Sequence, residues 1–139
     1  MKKELFDNEI TILRDTFRRL LRRRAKTNII KLIDKTHPAD LALLFRYFNE
    51  IEQDDIFSDL KESETTAEFL NELDESIAIR LLENESPERI AQILEKASSN
   101  EQAYLMGLVD EKYANSVIDL LKAEKQEELE EMMAYPEDS

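Results

Sequence analysis

Apolar residues recur along the chain in adjacent pairs: Leu20-Leu21, Leu32-Ile33, Leu44-Phe45, Ile56-Phe57, Phe69-Leu70, Leu81-Leu82, Ile93-Leu94, Leu105-Met106 and Val117-Ile118. The step is twelve residues throughout, with a single step of thirteen between Ile56 and Phe69, and Leu129 falls on the next position. One continuous helix cannot use such a pattern. At about 100° per residue, a shift of twelve turns the apolar face by roughly 120°. The stripe would wander around the axis instead of meeting a partner. Each unit is therefore predicted to be a separate short helix followed by a turn.

The helix breakers fall where this reading needs them. Pro38 and Pro87 sit at first helical positions, with His37 and Ser86 before them as N-caps. Ser99 or Asn100 is predicted to cap the next run, with Gln102 at capping-box distance from Ser99. Ser63, Asp74 and Asp110 hold similar places. About nine helices of roughly 8–10 residues follow from the spacing. Helices that short do not persist alone, so they must stack on their neighbours as a solenoid of helix pairs. "HPADLALLF" at 37–45 aligns with "SPERIAQIL" at 86–94. Ala42, Ala67 and Ala91 recur as small residues that let helices approach, and Gly107 is assigned the same packing role.

A longer amphipathic helix comes first. Phe6, Ile10, Leu13, Phe17 and Leu20 are spaced four, three, four and three. Arg14, Arg18 and Arg22 line another face of it. They can pair with acids of the body, face anionic lipid or remain solvated. The expected organisation is a basic helix over 1–25, helical repeats over 26–132, and a linker from 133 to 139.

Composition narrows the chemistry. One Gly and three Pro in 139 residues suit an all-α fold rather than strands and tight turns. The absence of Cys removes disulfides and thiolate metal sites. A phosphate loop needs more than one glycine, and the single His37 is better used as a cap than as a base. The reading is not an enzyme. The net charge of −13 is unevenly distributed: residues 1–35 carry +6 and the remainder −19. An acidic body repels nucleic acid and attracts cations. Mg²⁺ suits it, because that ion keeps much of its water and takes only one or two carboxylates from a surface.

Three stretches carry a family resemblance: "THPADLALLF", "TTAEFLNEL" and the tail "MMAYPEDS". Over roughly residues 26–139 the chain resembles the cytoplasmic N-terminal domain of MgtE-type magnesium channels. That resemblance implies an armadillo-like superhelical stack and a regulatory role on the cytoplasmic side of a membrane. It also implies a homodimeric parent protein in which Mg²⁺ draws this domain onto CBS domains of the same chain. The tail is similar to the connector that leads into those CBS domains. Among the acids, Glu68 matches a family glutamate at the regulatory interface, and Glu101 matches one of an acidic pair. The pair's other member is Asn100 here, and a nearby family aspartate falls at Tyr104. The stretch His37–Leu44 resembles the middle domain of the flagellar switch protein FliG equally well, which implies a protein-docking module. An unrelated helical-repeat adaptor is the third reading.

Overall fold

In a computed structural model the chain is a stack of helices, with no strand among the described residues. The structure describes residues 2–60, 64–121 and 123–134, without the side chains of 2–7, 123–126 and 128. The Phe6 side chain, the Ser63 cap and the tail from 135 to 139 lie outside the described residues. Helix α1 spans Lys2–Arg22. Nine shorter helices follow among the described residues: α2 Lys26–Lys35, α3 Pro38–Leu44, α4 Glu50–Leu60, α5 Thr66–Glu72, α6 Glu75–Glu83, α7 Pro87–Glu95, α8 Ser99–Leu108, α9 Glu111–Leu120 and α10 Ala123–Ala134. A 3₁₀ turn, Phe45–Tyr47, extends α3.

The twelve-residue pairs form the core. Leu44, Phe45, Ile56, Phe57, Phe69, Leu70, Leu81, Leu82, Ile93, Leu94, Leu105, Met106, Val117 and Ile118 are all buried, and so is Leu129. Each short helix turns one pair inward, and the next helix continues the same core. Helices α3 and α5 pack together, α7 packs on α9, and α8 lies against α5 and α10. The three alanines are buried between helices as their spacing predicts.

Helix α1 shares this core. Phe17 is fully buried and Ile10 nearly so, with Leu13 and Leu20 packed at the edge. The Phe17 ring meets Phe48 edge-on at 6.0 Å, Phe48 meets Phe45 at 5.9 Å, and Phe45 meets Phe69 at 4.8 Å. These edge-to-face contacts join α1, the 3₁₀ turn and α5 in one aromatic run. Helix α1 ends in a Schellman turn. The Arg24 N–H donates to the Leu21 carbonyl and the Ala25 N–H to the Leu20 carbonyl, both at 3.1 Å. Arg24 is left-handed there, at φ 54°, where glycine usually stands.

The caps mostly follow the sequence. The Ala39 N–H donates to His37 Nδ1 at 3.1 Å, the Arg89 N–H to Ser86 Oγ at 3.3 Å, and the Tyr113 N–H to Asp110 Oδ1 at 2.8 Å. Three expectations are corrected. Helix α8 is capped by Ser98, not by Ser99 or Asn100, because Ser98 holds the extended backbone of an N-cap. That earlier start places Gln102 inside the core, 1 % exposed, instead of in a capping box. Asp74 precedes α6 but makes no cap bond. It instead binds Arg46 with both oxygens, at 3.1 and 3.0 Å. Gly107 is exposed, and a Cβ built on it would meet nothing within 4 Å among the described residues, so it is not a packing contact there.

Candidate functional site

The two acids singled out from the sequence occupy first turns of neighbouring helices. Glu68 lies in the first turn of α5, where Thr66, Ala67, Phe69 and Leu70 are all buried. Thr66 Oγ1 donates to the Leu60 carbonyl at 2.6 Å and fixes the start of that helix. Glu68 is the residue left facing outward. Glu101 lies in the first turn of α8, which packs against α5. It has a structural task that sequence reasoning missed. Its Oε1 accepts the Ser98 N–H at 3.0 Å, while the Glu101 N–H donates to Ser98 Oγ at 3.2 Å. This is a full capping box.

Asn100 beside it is exposed. Tyr104, one turn further along α8, is 38 % exposed. Partial burial and the nearby charge of Glu75 raise its phenol pKa. Among the described residues no group of three or more His, Asp or Glu side chains is placed to hold a metal ion. Glu68 offers a whole carboxylate, and Glu101 offers the oxygen that its cap does not use. Such donors fit a hydrated Mg²⁺ held from one side and completed by another surface; they do not form a closed cage.

An internal repeat gives these acids a reference. Shifting the stretch that begins at His37 onto the one that begins at Ser86 aligns Pro38 with Pro87, Ala42 with Ala91 and Asn49 with Ser98. It also aligns Glu52 with Glu101 and Gln53 with Gln102. The paired residues do the same work. Glu52 Oε1 accepts the Asn49 N–H at 2.9 Å, the same reciprocal cap that Glu101 makes on Ser98. Gln53 Nε2 donates to the Phe45 carbonyl at 2.9 Å, and Gln102 Nε2 to the equivalent Leu94 carbonyl at 2.7 Å.

The repeats differ in their cations. In the first, the Arg18 guanidinium holds Glu52 through bonds of 2.8 and 3.2 Å and also donates to the Tyr47 carbonyl at 2.9 Å. Burial of Glu52 opposes its charge, but Arg18, the Asn49 N–H and the nearby Arg22 outweigh burial and hold the carboxyl below its ordinary range. The same shift that takes Glu52 to Glu101 takes Arg18 to Ala67 and Arg19 to Glu68. Glu101 thus keeps the cap but has Ala67 where the first repeat has the arginine, and Glu68 where it has Arg19.

A second cation is missing too. Gln53 Oε1 accepts from Arg80 at 2.7 Å, and Arg80 also donates to Asp54 at 2.8 Å. Among the described residues Gln102 Oε1 is buried with no partner, and α10 carries no arginine.

The basic first helix divides its charges. Arg18 is engaged by the body's own acid, and Arg14 lies against its neighbour Asp15 at 3.3 Å. Arg22 is exposed. Among the described residues no helix is long and apolar enough to cross a membrane.

A family model described as the MgtE intracellular N domain matches residues 36–138. No curated protein matches the chain.

Proposed function

The chain belongs to the family of MgtE intracellular N domains, and from that premise we propose that it is the Mg²⁺-sensing regulatory domain of a magnesium channel or transporter. It acts by docking rather than by catalysis. In this reading Mg²⁺ bridges acids of this domain to CBS domains of the same chain, in a homodimer, on the cytoplasmic side of the membrane. The docked arrangement favours a closed pore. When Mg²⁺ falls, the facing carboxylates repel, the domain leaves, and the pore opens.

The family match over most of the chain carries this reading. The placement of Glu68 and Glu101 supports its mechanism. Glu101 sits where Glu52 sits in the first repeat, without the arginine that neutralises Glu52. A cation supplied from solution can take that role when a second acidic surface approaches. Mg²⁺ would then contribute charge neutralisation between the two surfaces. The chain's own part is to hold the two carboxylates on rigid first turns. The linkage requires Mg²⁺ to bind the docked state more tightly than the undocked one. Several weak shared ions, each worth about tenfold, reach the roughly 10⁴-fold preference of a decisive switch.

The test uses the full-length protein and limited proteolysis with and without Mg²⁺. Glu68→Gln with Glu101→Gln is the right pair of changes, because Gln at 101 still accepts the Ser98 N–H. The protecting Mg²⁺ concentration should rise severalfold. Unchanged protection would remove both residues from the mechanism. Calorimetry on the 139-residue chain should show only weak Mg²⁺ binding, and tight one-to-one binding would contradict a shared site.

A further inference from the structure

Four of the eleven basic residues in 1–35 lie together on one exposed edge, away from the side chains packed in the core. Ile10, Leu13, Phe17 and Leu20 face the core from α1. On the opposite side of a helix with 3.6 residues per turn lie Ile12, Arg19, Arg22 and Arg23. All four are exposed, Ile12 at 67 %. Arg24 follows in the Schellman turn, also exposed, on a left-handed backbone that glycine adopts at lower cost. None of the four arginines forms an ion pair at contact distance among the described residues, although Arg22 lies near enough to Glu52 to favour its charge. Arg18, one position earlier, is fully committed to Glu52 and Tyr47.

We propose that this edge, Arg19, Arg22, Arg23 and Arg24 with Ile12 on the same face, is a docking surface for an anionic phospholipid bilayer. Four guanidinium groups within six positions outnumber Asp15, the exposed acid on the same face, which lies against Arg14 at 3.3 Å, and they leave a net basic local field. Each arginine near an anionic leaflet favours binding roughly fivefold. Guanidinium groups also bind phosphate oxygens in pairs. Ile12 adds an apolar anchor of modest depth beside them. The acidic body, at −19 beyond residue 35, is repelled by the same surface. The chain therefore binds edge-on, with α1 toward the lipid and the acidic repeats away from it. The inference rests on the regulatory-domain reading only in placing the chain near a membrane.

The experiment is flotation of the 139-residue chain with vesicles of phosphatidylcholine alone or with about a third phosphatidylglycerol, without Mg²⁺. The absence of Mg²⁺ keeps the result separate from the protection assay, so failure here leaves the regulatory reading standing. Binding is expected only to the anionic vesicles, and should weaken at least tenfold when salt rises enough to shorten the Debye length to about 5 Å. Arg22→Gln with Arg23→Gln should reduce partitioning about 25-fold. Lys96→Gln with Lys112→Gln makes the same change in net charge on exposed residues of α9 and the end of α7, outside α1, and should change it less than threefold. Circular dichroism verifies that both variants are folded. Equal losses from the two pairs would overturn the proposal, because net charge alone would then explain binding. Equal binding to neutral and anionic vesicles would overturn it too. So would salt-sensitive self-association without vesicle binding, which assigns the edge to the acidic surface of a second copy.

Discussion

The Arg18–Glu52 pair is where the first helix is tied to the repeats by charge, and its strength follows from its geometry. Arg18 makes two bonds to Glu52, at 2.8 and 3.2 Å, and a third to the Tyr47 carbonyl at 2.9 Å. The side chains are 29 % and 18 % exposed. That places the pair between exposed ion pairs, worth about 0.2–1 kcal/mol, and buried ones, whose rupture costs about 3–5 kcal/mol. Two charge-assisted bonds at this depth give a coupling of about 1–2 kcal/mol. A double-mutant cycle isolates it: Arg18→Met, Glu52→Gln and the double variant, each unfolded in urea at pH 7. Gln at 52 still accepts the Asn49 N–H, so the helix cap survives and only the ion pair is removed. Each kcal/mol should move the thermal midpoint by about 3–4 °C in a chain of this size. The pH dependence has a definite sign. The Glu52 carboxyl is held below its ordinary range in the folded state. Its stabilisation is therefore complete above the unfolded pKa of about 4.3 and disappears as pH falls through the lower folded value. A coupling under about 0.3 kcal/mol at pH 7, or one that grows toward acid, would refute the argument.

Three further outcomes follow from the packing. Gly107→Ala should stabilise the chain by about 0.5–1 kcal/mol in urea titrations, since the new methyl meets no neighbour and helix propensity improves; a loss would mean that the residue does pack against something. Gln53→Met should cost about 1–3 kcal/mol, because it abandons two carbonyls and the Arg80 bond. Gln102→Met should cost at least about 1 kcal/mol less in the same assay, because it also removes a buried acceptor that has no partner among the described residues.

The stacking of short helices is legible in the sequence because a twelve-residue step permits nothing else. Pro38 and Pro87 fix two helix starts by the ring alone, and the caps at His37, Ser86 and Asp110 are local and visible within three residues. What escaped depends on contacts distant in sequence or on a slip of one position. Ser98 and Ser99 are chemically alike, and only the backbone decides which one caps α8. Glu101 presents the same letter whether it closes a cap or faces a partner, and it does the first while one oxygen remains for the second. Glycine often permits close approach, which points Gly107 to packing, but among the described residues nothing approaches it. In the sequence Arg18 is one of a row. Its partner lies on α4, far along the chain, so its commitment emerges only once α1 has folded back. The longer repeat, with its two glutamines each reaching back to a carbonyl, was visible in part through the His37 and Ser86 stretches. Its purpose needed the hydrogen bonds.

The aromatic run from Phe17 to Phe69 has a consequence for where this molecule can be cut. The family pattern begins at residue 36, yet Phe48 rests its edge against Phe17, which belongs to α1. The unit that is inherited and the unit that melts are therefore different lengths. A fragment trimmed to the inherited pattern would leave aromatic surface wet and Glu52 without its arginine. The smallest cooperative piece includes α1, so any signal that pulls on that helix reaches the first repeat directly.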